Sequence, residues 1–240
     1  MIDRRRGAMV LVVVLAIVAT GRALSNGFVS DDVPIVVNNP LVHRLSPPWL
    51  YAQQSYWPPW HGADAYRPWT IWLLSIQYAL AGPTPWAFHL LNSLLIVALT
   101  LVTFGLLIEL APLGAALGGV AIFAVHPVHV EATANVVGQG ELWMGLFVVA
   151  ATYVYVRARR RGSLGPGTVA LIAFLYLLAA AAKEQGIVLP GILLAFELLR
   201  PPGTPSIALA AWYRHTACSS LLECCSFSRA WPCSATWVAG

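Results

Sequence analysis

WTIWLLSIQYALAG, residues 69–82, decides the topology of this chain. The run is 14 residues long, carries two tryptophans and a tyrosine, and ends on a Gly-Pro signal. At about 1.5 Å of rise per residue it falls short of a hydrocarbon core of about 30 Å. It is either a short span or a helix lying in the interface, and charge parity separates the two. If it does not span, Arg4, Arg5, Arg6, the RARRR cluster at 157–161 and Arg200 all fall on one side of a membrane. Asp31, Asp32, Arg67, His126, Glu131, Lys183 and Glu184 then fall on the other. Counting it as a span exports the RARRR cluster, against the bias that keeps short basic loops inside. An interfacial helix is therefore expected.

Outward from that run, residues 86–108 form the clearest span, 23 residues without a formal charge when His89 is neutral. Residues 111–126, 142–156, 167–182 and 187–199 are shorter and need polar flanks in the interface or a locally thinned bilayer. With an apolar run at 8–20 the count is about six. The chain is 240 residues long, 58% hydrophobic and 10% charged, which favours an all-α polytopic membrane protein over a soluble domain. The first 20 residues have the basic and apolar regions of a signal peptide, but the apolar run is long and lacks a small-x-small cleavage site. A retained anchor with a cytoplasmic N-terminus is expected. The net charge of +4 comes with no recognition helix, zinc knuckle or basic groove, so no nucleic-acid partner is implied. Nor is there a nicotinamide, flavin or nucleotide-binding loop.

The chemistry gathers in the loops opposite the arginines. NGFVSDDVPIVVNNP (26–40) puts Asp31 and Asp32 just beyond the first span. Neighbouring side chains do not share a direction, so one carboxylate can face a substrate while the other orients a loop amide. The plainer alternative is that either one caps a turn or faces water. The same loop, 25–66, carries Trp49, Trp57 and Trp60 among paired prolines, with His43 and His61; these rings suit a headgroup belt and a sugar or lipid platform equally. Arg67 precedes Pro68, where its planar fork can meet a phosphate, the acidic pair or a headgroup. Lys183 and Glu184 can pair with one another, or Lys183 can neutralise a phosphate. His126, His129 and Glu131 form an H-P-x-H-x-E block that invites zinc. Pro127 breaks the helix, however, and the spacing is not H-E-x-x-H, so no metal is assigned and the block is expected to build the polar site. His89 and Asn92 lie three apart and can hydrogen-bond across the bundle.

The blocks NGFVSDDVPIVVNNP (26–40), AYRPWT (65–70), WAFHLLNSLL (86–95), HPVHVEATANVVGQGEL (126–142) and AAKEQGI (181–187) carry a resemblance. In order and spacing they resemble the N-terminal membrane part of the GT-C superfamily, specifically the transmembrane O-mannosyltransferases whose membrane region is usually followed by tetratricopeptide repeats. The resemblance covers residues 1–200 and implies a partial GT-C fold. It implies a polyprenyl-phosphate-linked sugar, mannose in relatives, as donor, and a protein Ser/Thr hydroxyl as acceptor. Transfer would occur with inversion on the extracytoplasmic side. Asp31 or Asp32 would be the base, with Arg67, His126, His129, Glu131, Glu141, Lys183 and Glu184 binding substrate. No cofactor is firmly implied, and a divalent metal stays open because some relatives use one. The chain departs at Gln139, where relatives commonly carry an arginine.

From about residue 206 the composition changes, and all four cysteines, Cys218, Cys224, Cys225 and Cys233, lie there. Their spacing matches no metal or disulfide framework, and residues 201–240 read as an atypical, frameshifted or truncated tail. The alternatives to a transferase are a noncatalytic truncated homologue or membrane scaffold, and a transporter component. The Ala, Gly and Arg bias points to a GC-rich bacterial gene and to the inner membrane.

Overall fold

The computed structural model describes residues 2–162 and 164–199; Arg200 and the tail expected at 201–240 lie outside them. The regular elements are helical: α1 (Ile2–Thr20), α2 (Pro40–His43), α3 (Pro48–Tyr51), α4 (Pro68–Ala81), α5 (Pro85–Leu110), α6 (Leu113–Val125), α7 (His129–Ala134), α8 (Gln139–Arg160), α9 (Pro166–Ala182) and α10 (Leu189–Leu198). Three stretches are long and apolar enough to cross a membrane, Arg4–Ser25, Pro85–Leu110 and Gln139–Arg160; Leu113–Val125 and Pro166–Ala182 are shorter apolar helices. The described chain is thus a multi-span helical membrane protein.

Apolar runs locate these helices, and polar ends extend them. The expected span at 142–156 is the middle of α8, whose 22 residues run on through Arg157, Arg159 and Arg160 in the last turn. Arginine is a good helix former, and a cation at a helix C-terminus meets the negative end of the dipole, so the helix continues past the apolar stretch.

Packing follows membrane rules. On α1 the buried positions are Ala8, Val12, Ala16 and Thr20, one i,i+4 stripe of mostly small residues, while Val10, Leu11, Val14, Ile17 and Val18 stay exposed. Hydrocarbon rewards large outward side chains, and close helix approach wants small inward ones. That stripe seats Ala8 and Val12 against Phe104, Ala116 and Val120 of α5 and α6. Between α5 and α8, Gly105 faces the Tyr153 ring and Gly145 faces Leu99.

These contacts sort the helix ends. The start of α1, the end of α5 and the start of α6 share a cluster with Leu107, Ile108 and Leu113. Arg160 joins Glu109 at 3.6 Å, which brings the end of α8 to the same place. At the opposite end the His89 ring reaches the Gly27 and Thr133 carbonyls at 3.5 and 3.4 Å. There α4 touches α9 through Thr70 Oγ1, which donates to the Ala182 carbonyl at 2.8 Å. Its other end touches the start of α8, where Gln77 Nε2 donates to Gln139 Oε1 at 2.8 Å. Both ends of α4 therefore meet the same end of the bundle, and Gly82, at φ +60°, turns the chain into α5. Beneath it, Ile71, Leu74 and Phe88 close a core with Ile35, Val36, Val42, Tyr51 and Val136.

Candidate functional site

The loop bearing the aspartates folds as a short π-helical turn, Val33–Val37, and treats the two carboxylates differently. Asp32 is fully buried. Its Oδ2 accepts from the Val29 amide at 3.1 Å and its Oδ1 from the Val137 amide at 2.9 Å. By accepting from two backbone N–H groups of separate segments, Asp32 pins the loop to the turn that begins α8. Gly138 follows that turn so closely that an added Cβ would lie 2.4 Å from the Ala132 carbonyl oxygen. Asp31 is exposed, and the Ser30 hydroxyl donates to its Oδ1 at 3.4 Å.

Arg67 enters from the N-cap of α4. Its Nε and Nη2 donate to the two oxygens of Glu184 at 2.9 and 2.6 Å, a bidentate pair. The acidic partner of Arg67 is therefore Glu184 and not the aspartate pair. The hydrogen bond from Arg67 pulls the Glu184 pKa down to about 2, and the pairing raises that of Arg67. Lys183 and Glu184 do not pair with one another: Lys183 Nζ joins Glu141 Oε1 at the start of α8. Lys183 has extended backbone, so successive side chains diverge to different partners.

Tyr56 joins these groups, and nothing in the sequence marked it out among the other aromatics of its loop. The Arg67 guanidinium lies over its ring, 5.0 Å from the centroid. Among the described residues its buried hydroxyl makes no hydrogen bond of regular geometry, and Arg67 is the polar group beside it. Burial raises the Tyr56 pKa most; Arg67 opposes the rise, and Asp32 and Asp31 add to it. The phenol thus lies within electrostatic reach of both aspartates and the arginine.

Behind them runs a neutral amide network. Asn92 Nδ2 donates to the Asn135 carbonyl at 2.9 Å and the Val136 carbonyl at 3.3 Å. Its Oδ1 accepts from Gln139 Nε2 at 3.1 Å. Gln139, fully buried, also exchanges hydrogen bonds with Gln77. Satisfied amides here hold α4, α5 and α8 together. His89 and Asn92 accordingly bond across the bundle.

The histidine block stands apart in character. His126 and Glu131 are exposed, and the His126 and His129 rings lie 6.4 Å apart. His129 packs edge-on to Phe123 at 4.5 Å. Burial lowers its pKa, against the Phe123 carbonyl contact, and His126 lowers it further. Among the described residues no group of three or more His, Cys, Asp or Glu is placed to hold a metal ion. In the outer loop Trp49 and Trp60 are exposed, whereas Trp57 packs on the core and stacks on His61 at 4.2 Å.

No protein-family model and no solved structure matches the chain. Curated relatives do. Protein O-mannosyl-transferase TMTC3 of Homo sapiens is 30% identical over 187 residues, covering 74% of this chain and 20% of its own length. Protein O-mannosyl-transferase TMTC1 of Homo sapiens is 31% identical over 207 residues, 80% of this chain and 24% of the relative. Protein O-mannosyl-transferase Tmtc2 of Drosophila melanogaster is 32% identical over 198 residues, 78% and 21% respectively. The chain spans about a fifth to a quarter of the length of these relatives. Over that stretch, the chain is a homologue of the transmembrane protein O-mannosyl-transferases, matching their N-terminal membrane region.

Proposed function

We propose that this chain is the donor-side part of a glycosyltransferase that moves a sugar, mannose by analogy with its relatives, from a polyprenyl phosphate to a protein Ser or Thr hydroxyl. The division of labour between the aspartates carries this reading: Asp32 is consumed by two amides, and Asp31 keeps an exposed carboxylate beside it. Asp31 accepts the acceptor hydroxyl proton as its oxygen attacks the anomeric carbon. The bond from that carbon to the lipid phosphate breaks, and the phosphate leaves with the electron pair from the opposite face, inverting the centre.

Arg67 uses two of its five N–H donors on Glu184, and its guanidinium is the cation that meets the phosphate. Lys183, with Glu141, supplies a second cation, and His126, His129 and Glu131 line the approach of donor or acceptor. Residues 1–200 form the partial GT-C domain, with about six spans and α4 along the interface. The aspartate end faces away from the cytoplasm of a bacterial inner membrane, and the basic end faces into it.

The test is transfer from polyprenyl-phosphate mannose to a Ser/Thr peptide by the purified chain in lipid. Asp31→Asn should lower turnover by about 100-fold or more with thermal stability unchanged. A folded wild-type chain that transfers no sugar, across donors and acceptors, would identify a noncatalytic membrane scaffold instead.

A further inference from the structure

The arginines at the far end of the bundle take no part in that chemistry. Between the last turns of α8 and the first turn of α9 lies a hollow of about 250 Å³, walled by Tyr153, Val154, Arg157, Ala158, Arg161 and Thr168. Arg157 and Arg161 stand four apart on one helical face, so their charges repel unless an anion lies between them. Among the described residues neither meets a carboxylate. Arg157 donates to the neutral Tyr153 hydroxyl and lies over its ring, 5.6 Å from the centroid. Arg160, by contrast, turns to Glu109 at 3.6 Å.

The opposite wall adds to the positive field. α9 begins at Pro166 with Gly165 as N-cap and no side-chain cap, so the positive end of its dipole faces this side uncompensated. Two guanidiniums, a hydroxyl-bearing threonine and a helix N-terminus form a donor set matched to phosphate oxygens. The position indicates the source: further along α9, Val169, Leu171, Phe174 and Leu177 are exposed apolar side chains. The hollow therefore sits where a lipid-facing surface gives way to charge, at headgroup depth.

We infer that the hollow between α8 and α9 is a phosphate-binding site, formed by Arg157, Arg161 and Thr168, that takes the headgroup of an anionic phospholipid. It is independent of the proposed transfer chemistry and neutralises the like-charge pair at the end of α8.

The experiment uses the whole purified chain in neutral detergent, titrated with phosphatidylglycerol or phosphatidylcholine and followed by native mass spectrometry. A parallel arm uses inorganic phosphate. Arg157→Gln and Arg161→Gln should each weaken phosphatidylglycerol binding about tenfold, and Arg5→Gln, a basic residue outside the hollow, by less than about twofold. Binding of inorganic phosphate with the same dependence on both arginines, without lipid binding, would support the site and assign it to a soluble anion. Unchanged binding by both glutamine variants, or an equal loss in Arg5→Gln, would overturn it in favour of diffuse attraction. Arg161 is exposed, so its variant tests the site without disturbing packing, and helical content monitors folding.

Discussion

Replacing Asp32 by asparagine separates anchoring from chemistry. The buried carboxylate accepts two amides, at 3.1 Å from Val29 and at 2.9 Å from Val137, the latter 105 residues along the chain from Asp32. Asparagine keeps one acceptor oxygen and turns an NH₂ toward the other amide, so one charge-assisted bond is lost and one N–H is stranded. The expected cost is about 3 kcal/mol. For a chain of this size, that lowers the thermal midpoint by roughly 6–12 °C. Asp31→Asn removes only an exposed contact at 3.4 Å and should stay within about 0.5 kcal/mol of wild type. The assay is loss of helical circular dichroism on heating, in one detergent, for both variants. If Asp32→Asn melts within about 2 °C of wild type, or Asp31→Asn falls as far, the buried-anchor reasoning fails.

Two further outcomes follow from the same region. Glu184 has its pKa held at about 2 against an ordinary 4.5, so the folded state releases its proton more readily than the unfolded chain does. Its contribution is complete above about pH 4.5 and is lost as pH falls through about 2. Because the Glu184 side chain is 55% exposed, solvent screens most of that shift, and Glu184→Gln should cost about 1 kcal/mol at neutral pH. The gap between wild type and variant, from denaturant melts across pH, should close only in that acid window. Gly138→Ala and Gly186→Ala each place a Cβ 2.4 Å from backbone atoms, of Ala132 and Ala179 respectively. Each should destabilise by about 2 kcal/mol or more in the same melts, while Gly118→Ala, with open space around it, should not.

The helical plan was legible because it is written locally. A run of apolar residues reports its own length, and the charges at its ends report which ends belong together. Hence α1, α5, α6 and α9 lie close to their expected ranges, and the acidic and arginine-rich loops gather at opposite ends of the bundle. The ends of α8 were less legible, since hydropathy stops at Val156 while the helix continues through arginines that favour its C-terminus. Gln139 could be seen as a departure from related chains. That it closes a neutral amide network with Gln77 and Asn92 could not be seen, because those residues are 62 and 47 positions away.

By itself the sequence determined that this is a helical membrane protein, where its aspartates, Arg67 and Lys183-Glu184 lie along the chain, and what family it resembles. Only the tertiary structure decided which aspartate is buried, that Arg67 meets Glu184 while Lys183 meets Glu141, and that Tyr56 lies beneath the arginine. The reason is physical. Span formation depends on the transfer free energy of contiguous residues, whereas a side chain's partner depends on the rotation and end-positions of separate helices. Arg67 and Glu184 are 117 residues apart, and only the packing of α4 against α9 brings their charges to 2.6 Å.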